Sequence, residues 1–183
     1  MRNGDSGLQN EFAVSSLESF SPGSALDSVN FYAEKAELFM GRGDKVRARA
    51  LADSAWSLEK RMADDPNQST YVRLTQYQVL AWLAALRADR QTALAMLRKA
   101  GENPTLTIYP NGIEAVQLAC TYAAVYGFLD DVEAMVPFAR RCFTSVNGYA
   151  VTFLKDPEFS RHLNDPRVRA FAIGPAGKKQ ASP

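Results

Sequence analysis

The chain has 183 residues, 46% of them hydrophobic, and sets 21 Lys and Arg against 20 Asp and Glu. That is the length of one domain with enough apolar surface for a core, which excludes a disordered chain. A formal net charge of +1 gives no field that would draw nucleic acid or an acidic membrane. Residues 1–24 read as a flexible leader or linker, because Gly4, Gly7, Pro22, Gly23 and six serines break any helical period. From Ala25 to Arg42 the apolar positions Leu26, Val29, Tyr32, Ala33, Ala36, Phe39 and Met40 recur at three and four, predicting an amphipathic helix that Gly43 ends. Asp44 has the short carboxylate that caps a following helix, whose stripe is Val46, Ala50, Leu51, Ala55, Leu58 and Met62. Asp65-Pro66 closes that helix, since a residue before proline avoids the α region.

A second helix pair starts at Ser69 or Thr70 and runs through Leu74, Tyr77, Leu80, Ala81, Ala84 and Ala85 to Arg87. Asp89 caps its partner, which carries Ala93, Leu94, Leu97 and Ala100 before Gly101 and Pro104 stop it. A third begins at Asn111, with Glu114 three residues on as a capping-box partner, and presents Ile113, Val116, Ala119, Cys120, Ala123 and Ala124. Asp130 or Asp131 starts its second helix, through Val132, Met135, Val136, Ala139 and Phe143. Pro137 predicts a kink there, a start nearer the proline, or an irregular unit. The longest apolar stretch, Ala115 to Leu129, is shorter than the roughly 20 residues that cross a bilayer and contains Gln117, Thr121, Tyr122 and Tyr126, so it reads as a buried helix.

A helix-turn-helix unit is thus written three times. Gly43-Asp44, Ala88-Asp89 and Leu129-Asp130 stand at its turns, and Ala48, Ala93 and Ala134 follow, four residues after each aspartate. Recurring small and turn residues specify stacked helix pairs, a scaffold that binds partners more often than it catalyses.

Aligned on these turns, the units resemble the tetratricopeptide repeat. The first matches at Tyr32, Ala36, Phe39, Gly43, Asp44, Ala48 and Ala55, and the second at Tyr77, Leu80, Ala81, Asp89, Ala93, Leu97, Ala100 and Pro104. The third matches at Leu118, Tyr122, Val125, Asp130, Ala134 and Phe138. Turn-to-turn distances exceed the usual repeat of about 34 residues. The resemblance covers residues 26–145. It implies an all-α fold, a right-handed solenoid of antiparallel helix pairs with about three repeats, spanning residues 25–172 and followed by a disordered tail, 173–183. It also implies a protein or peptide partner in a concave groove, toward which Asn30, Glu34, Glu37, Gln78 and Trp82 point, with Trp82 readable as groove anchor or as core. Ala33, Val79, Ala119 and Cys120 stand where relatives of this type carry the lysines and asparagines that clamp a terminal carboxylate, so a chaperone-tail clamp is not implied.

The segment Phe153-Leu154-Lys155-Asp156-Pro157-Glu158-Phe159, followed by Leu163-Asn164-Asp165-Pro166-Arg167-Val168-Arg169-Ala170-Phe171, resembles the end of repeat regions attached to bacterial serine/threonine kinases, adenylate cyclases and winged-helix regulators. In each Asp-Pro step the aspartate caps and the proline takes the first helical position, so each step starts a short helix. Phe159, Leu163, Val168 and Phe171 would cover the apolar edge of the last repeat.

Reactive groups are few. His162 is the one histidine, and with Cys120 and Cys142 it falls short of a zinc ligand set. Gly41-Arg42-Gly43-Asp44 lacks the lysine-serine pair of a phosphate loop. Asp64-Asp65 and Asp130-Asp131 are adjacent pairs that cannot face one substrate together. Arg47, Arg49, Arg140 and Arg141 are interspersed with glutamates as on a solvated helical face. The two cysteines sit in helical segments without a disulfide framework, so unpaired thiols in a reducing compartment are expected; with no apolar core of a secretory signal, that compartment is the cytoplasm. The functional expectation is a non-enzymatic protein-interaction scaffold without cofactor, metal or catalytic residue. Its alternatives are a regulatory or sensory part of a bacterial signalling system, end-to-end self-association, and an all-α hydrolase or transferase. The last requires a deep pocket with His162 in hydrogen-bond reach of a carboxylate or Cys142.

Overall fold

A computed structural model of the chain describes residues 24–145 and 156–173. The expected leader, apart from Ser24, lies outside the described residues, as do Phe153–Lys155 and the expected tail from Gly174 on. The described residues are helical, without a strand: α1 Ala25–Gly41, α2 Lys45–Ala63, α3 Thr70–Leu86, α4 Arg90–Gly101, α5 Thr105–Ile108, α6 Ile113–Phe128, α7 Val132–Ser145, α8 Pro157–Ser160 and α9 Pro166–Ile173. The pairs α1/α2, α3/α4 and α6/α7 pack most extensively, α3 packs on both α1 and α2, and α6 packs on α3 and α4. No helix among the described residues is long and apolar enough to cross a membrane.

Side chains cap the helices at four starts, at Asp44 and Asp89 as expected. Ser24, Asp44, Ser69 and Asp89 each accept the amide three residues on, at 3.0–3.3 Å. At the fifth the choice between the two expected aspartates falls on Asp131, which accepts the Ala134 amide at 3.1 Å, so the alignment of the third turn on Asp130 and Ala134 shifts by one residue. Asp130 is instead the left-handed residue of its turn, with φ +57°, equivalent to Ala88 at +62° and Gly43 at +81°. All three turns carry one bond pattern: Gly43, Ala88 and Asp130 donate to Met40, Ala85 and Gly127, and the following aspartates donate to Phe39, Ala84 and Tyr126. These are Schellman turns, which satisfy the last carbonyls of the preceding helix. The position four after the capping aspartate is therefore Ala48, Ala93 and Met135, all fully buried, whereas Ala134 is half-buried.

Three further expectations are corrected. On α2 the buried line is Ala48, Ala52, Ala55, Glu59 and Ala63, while Val46 and Ala50 are exposed; alanines allow the closest backbone approach, and Leu51, Leu58 and Met62 flank them. α6 starts at Gly112 with no side-chain cap, so Asn111 and Glu114 form no capping box; a Cβ on Gly112 would lie 3.1 Å from that of Tyr109. α7 starts at Val132 and continues past Pro137, so the helix does not begin nearer the proline, and the Pro137 ring is exposed.

The core is continuous from Val29, Ala33 and Ala36 on α1 through Leu83 and Leu86 on α3 and Leu97 on α4 to Val125 and Phe128 on α6. A second cluster joins Met135, Ala139 and Phe143 of α7 to Phe159 and Val168. The C-terminal segment thus covers α7, as expected, through Phe159, Leu163 and Val168; the Phe171 side chain lies outside the described residues. Asp165 starts α9 by accepting the Arg167 amide at 2.9 Å, and the Arg167 side chain holds its carboxyl down at about 2. Asp156 stands before α8 but makes no capping bond.

Candidate functional site

The first helices of the three pairs, α1, α3 and α6, lie side by side and are cross-linked by polar side chains. Trp82 is half-buried on α3 and its Nε1–H donates to Glu37 Oε1 on α1 at 3.0 Å. One turn back, Gln78 Oε1 lies 3.1 Å from Thr121 Oγ1 on α6. The core reading of Trp82 holds in part: its ring packs against the core while its Nε1–H is committed to Glu37. Of the expected groove residues, Glu37 and Trp82 line one cavity, Gln78 ties α3 to α6, and Asn30 and Glu34 are exposed on α1 outside that cavity. Ala33 and Ala119 are buried and contribute no surface.

What covers this face is the chain itself. α8 packs on α1 and α6, with Pro157 against Gly41 and the Glu158 carbonyl so close to Gly127 that a Cβ there would stand 2.5 Å from its oxygen. Gly127 has no side chain because the α8 backbone occupies that space. His162 donates Nε2–H to the Gly127 carbonyl at 2.8 Å and Arg161 pairs with Asp130 at 2.6 Å, fastening the far side of α8 to the end of α6. Phe159 meets Phe143 edge to face, with centroids 5.2 Å apart.

Between α8 and the shared face remains a cavity of about 210 Å³ lined by Glu37, Trp82, Thr121, Glu158 and Phe159, with the Cys120–Cys142 pair at its floor. The two cysteines are joined as a disulfide across α6 and α7, with Cα atoms 4.9 Å apart. This overturns the expected free thiols: residues facing each other across an antiparallel helix pair need no cysteine-dense framework to meet. Burial pushes the Glu37 carboxyl up to about 8, with the neighbouring Asp156 charge adding to it and the Trp82 hydrogen bond opposing. Burial also raises Glu158 well above the carboxylate range, reinforced by Glu37, and raises Asp156 to about 6. Glu158 is 6% exposed, and its Oε2 has no hydrogen-bond partner. Compared with known proteins, the chain matches no family model, no curated protein and no solved structure.

The other sequence candidates are separated. His162 Nε2 is engaged by the Gly127 carbonyl and lies 3.8 Å from Asp130 Oδ1, and Cys142 is in the disulfide. Arg47 and Arg49 lie on α2, Arg140 and Arg141 on α7, in the first and third pairs. Gly41–Asp44 is the first turn. Sequence reading missed Glu158 and Phe159 as site residues, taking the segment for an edge cap; the available signal was an acidic residue flanked by proline and phenylalanine, where a solvent-facing cap has no need of that combination.

Proposed function

We propose that this chain is a non-enzymatic protein-interaction scaffold, built on tetratricopeptide-like helix pairs in a right-handed array, whose binding surface is the shared face of α1, α3 and α6. The observation that carries this reading is the seating of α8: the face accepts a short segment, Asp156–Ser160, through the Phe159 side chain, packed in one cluster with Ala123 and Tyr126 of α6, and through close backbone approach at Gly127. Those are the means by which helical scaffolds hold peptides in general, and polar ties such as Trp82–Glu37 hold the face in shape before a partner arrives, which lowers the cost of binding. The disulfide favours an oxidising compartment over the cytoplasm as the setting of this fold.

The test is affinity capture from a lysate of the source organism with the intact chain and with Asn30→Arg/Glu34→Arg, two exposed α1 positions beside the cavity whose replacement leaves the Trp82–Glu37 tie in place. A protein recovered by the intact chain and lost with the folded variant is the expected result. Equal recovery by both removes this face from the function, and a mass that grows with concentration in light scattering without any other protein recovered would replace the scaffold by a self-assembling chain.

A further inference from the structure

The cavity beneath α8 has an electrostatic peculiarity. Glu37 and Glu158 both line it, Asp156 and Glu34 add negative charge at its margin, and no lysine or arginine among the described residues forms an ion pair with Glu37 or Glu158. Surface acids of this protein are by contrast regularly paired, as Asp53 is with Arg87 at 2.6 Å. Glu158 lines the cavity, and its Oε2, buried behind that lining, has no hydrogen-bond partner, so the carboxyl is left without a donor that would offset its burial. Trp82 also lines the cavity, and an indole is the side chain that best accommodates a cation. At about 210 Å³ the space falls below the ~300–1,000 Å³ of a small-molecule site and suits a single extended side chain.

We propose that this cavity is a subsite for the ammonium group of a lysine side chain presented by the protein partner, received between the Glu37 and Glu158 carboxyls with the Trp82 indole beside it. The proposal rests on the reading of the shared face as a protein-binding surface and supplies the chemistry of what binds there. A lysine reaches such a cavity on its unbranched four-carbon stem and offers three donors, enough to serve both lining carboxyls. The titratable groups facing the two carboxyls are each other, Asp156 before α8 and Glu34 on α1; α3, α6 and α7 present Trp82, Thr121 and the disulfide there. With no cation present the Glu37 carboxyl, raised to about 8, keeps its proton at neutral pH, so arrival of an ammonium displaces a proton to solvent and binding strengthens as pH rises.

The experiment follows the two tryptophan indole resonances of the ¹⁵N-labelled full chain, assigned with Trp56→Phe, during titration with n-butylammonium chloride, with n-butanol as the neutral isostere and sodium chloride as the ionic control. The expected result is a saturable shift of the Trp82 indole with Trp56 unmoved, at least tenfold weaker in Glu158→Gln and in Glu37→Gln. Half-saturation should fall severalfold between pH 6 and pH 8.5. The peptide acetyl-Ala-Lys-Ala-amide should bind at least as tightly as butylammonium. Equal shifts with butanol, or shifts that persist in both glutamine variants with Trp56 in its native position, overturn the site. Binding of butylammonium but not the peptide overturns lysine as its source, and a shift seen only when Lys178 and Lys179 are both alanine gives the cavity to the chain's own C-terminus. A partner captured through the face without any probe shift defeats this subsite alone; a probe shift without a face-dependent partner defeats the scaffold reading alone.

Discussion

Ala88 and Asp130 sit at left-handed φ in turns whose first example uses glycine. Left-handed backbone costs a residue bearing a Cβ roughly 1–2 kcal/mol, partly returned by the smaller freedom it had when unfolded. Ala88→Gly should therefore stabilise the protein by about 0.5–1 kcal/mol, read as a melting temperature higher by a degree or more; an unchanged or lower value would mean that the second turn is not strained. Glu59 shows the opposite kind of local conflict. It is 2% exposed on α2, its Oε2 lacks a partner, and burial pushes its carboxyl up to about 7. A carboxyl raised in the folded state contributes stability that is complete below its unfolded value near 4.5 and is lost as pH rises through the folded value. With Glu37 raised to about 8 and Asp156 to about 6 in the same direction, chemical denaturation should show stability falling from pH 5 to pH 8. Glu59→Gln should lessen that fall by on the order of 1 kcal/mol, and a parallel pH profile in wild type and variant would contradict it.

Between elements, contact is set by small residues. Ala93 is fully buried between α4 and its neighbours, so Ala93→Phe should overpack the pair and cost roughly 1–3 kcal/mol in denaturant unfolding; a neutral result would misplace the repeat register. Gly127→Ala places a methyl where the Glu158 carbonyl lies, and should release α8 from the shared face while sparing α1 to α4. Red-shifted Trp82 fluorescence, with Trp56→Phe as background, is the expected sign, and an unmoved spectrum would show that α8 yields without undocking. Much of this element scale was legible in the sequence: the six longest helices, the turns, and the Asp44 and Asp89 caps follow from periodicity and punctuation. The α2 face was not, because a hydrophobicity pattern favours Val46 and Leu51 over alanine, whereas helix pairs this close select alanine. The third register was not either, since αL geometry at Asp130 leaves no residue signature that distinguishes it from the cap at Asp131. Of the site, Glu37 and Trp82 were found because they lie on regular helices. Glu158 and the Cys120–Cys142 bond were missed, because their placement depends on how α8 and α7 return onto α6.

For the whole molecule, the disulfide closes a span of 22 residues and by chain-entropy arguments contributes about 3 kcal/mol. Adding a reductant should lower the melting temperature by several degrees, and no change would mean that the helix pair holds equally well without the bond. The larger consequence comes from α8. A row of helix pairs in which each touches only its neighbours behaves as a one-dimensional chain, and such chains fray from the ends inward. Here α8 touches α1 of the first pair and α6 of the third, so the row is closed on itself and thermodynamically has no loose end. Opening α1 then requires breaking a contact made more than a hundred residues away along the chain. Its amides should exchange with solvent as slowly as those of α3, in one cooperative event, and only when α8 is let go by Gly127→Ala should the first pair begin to exchange on its own.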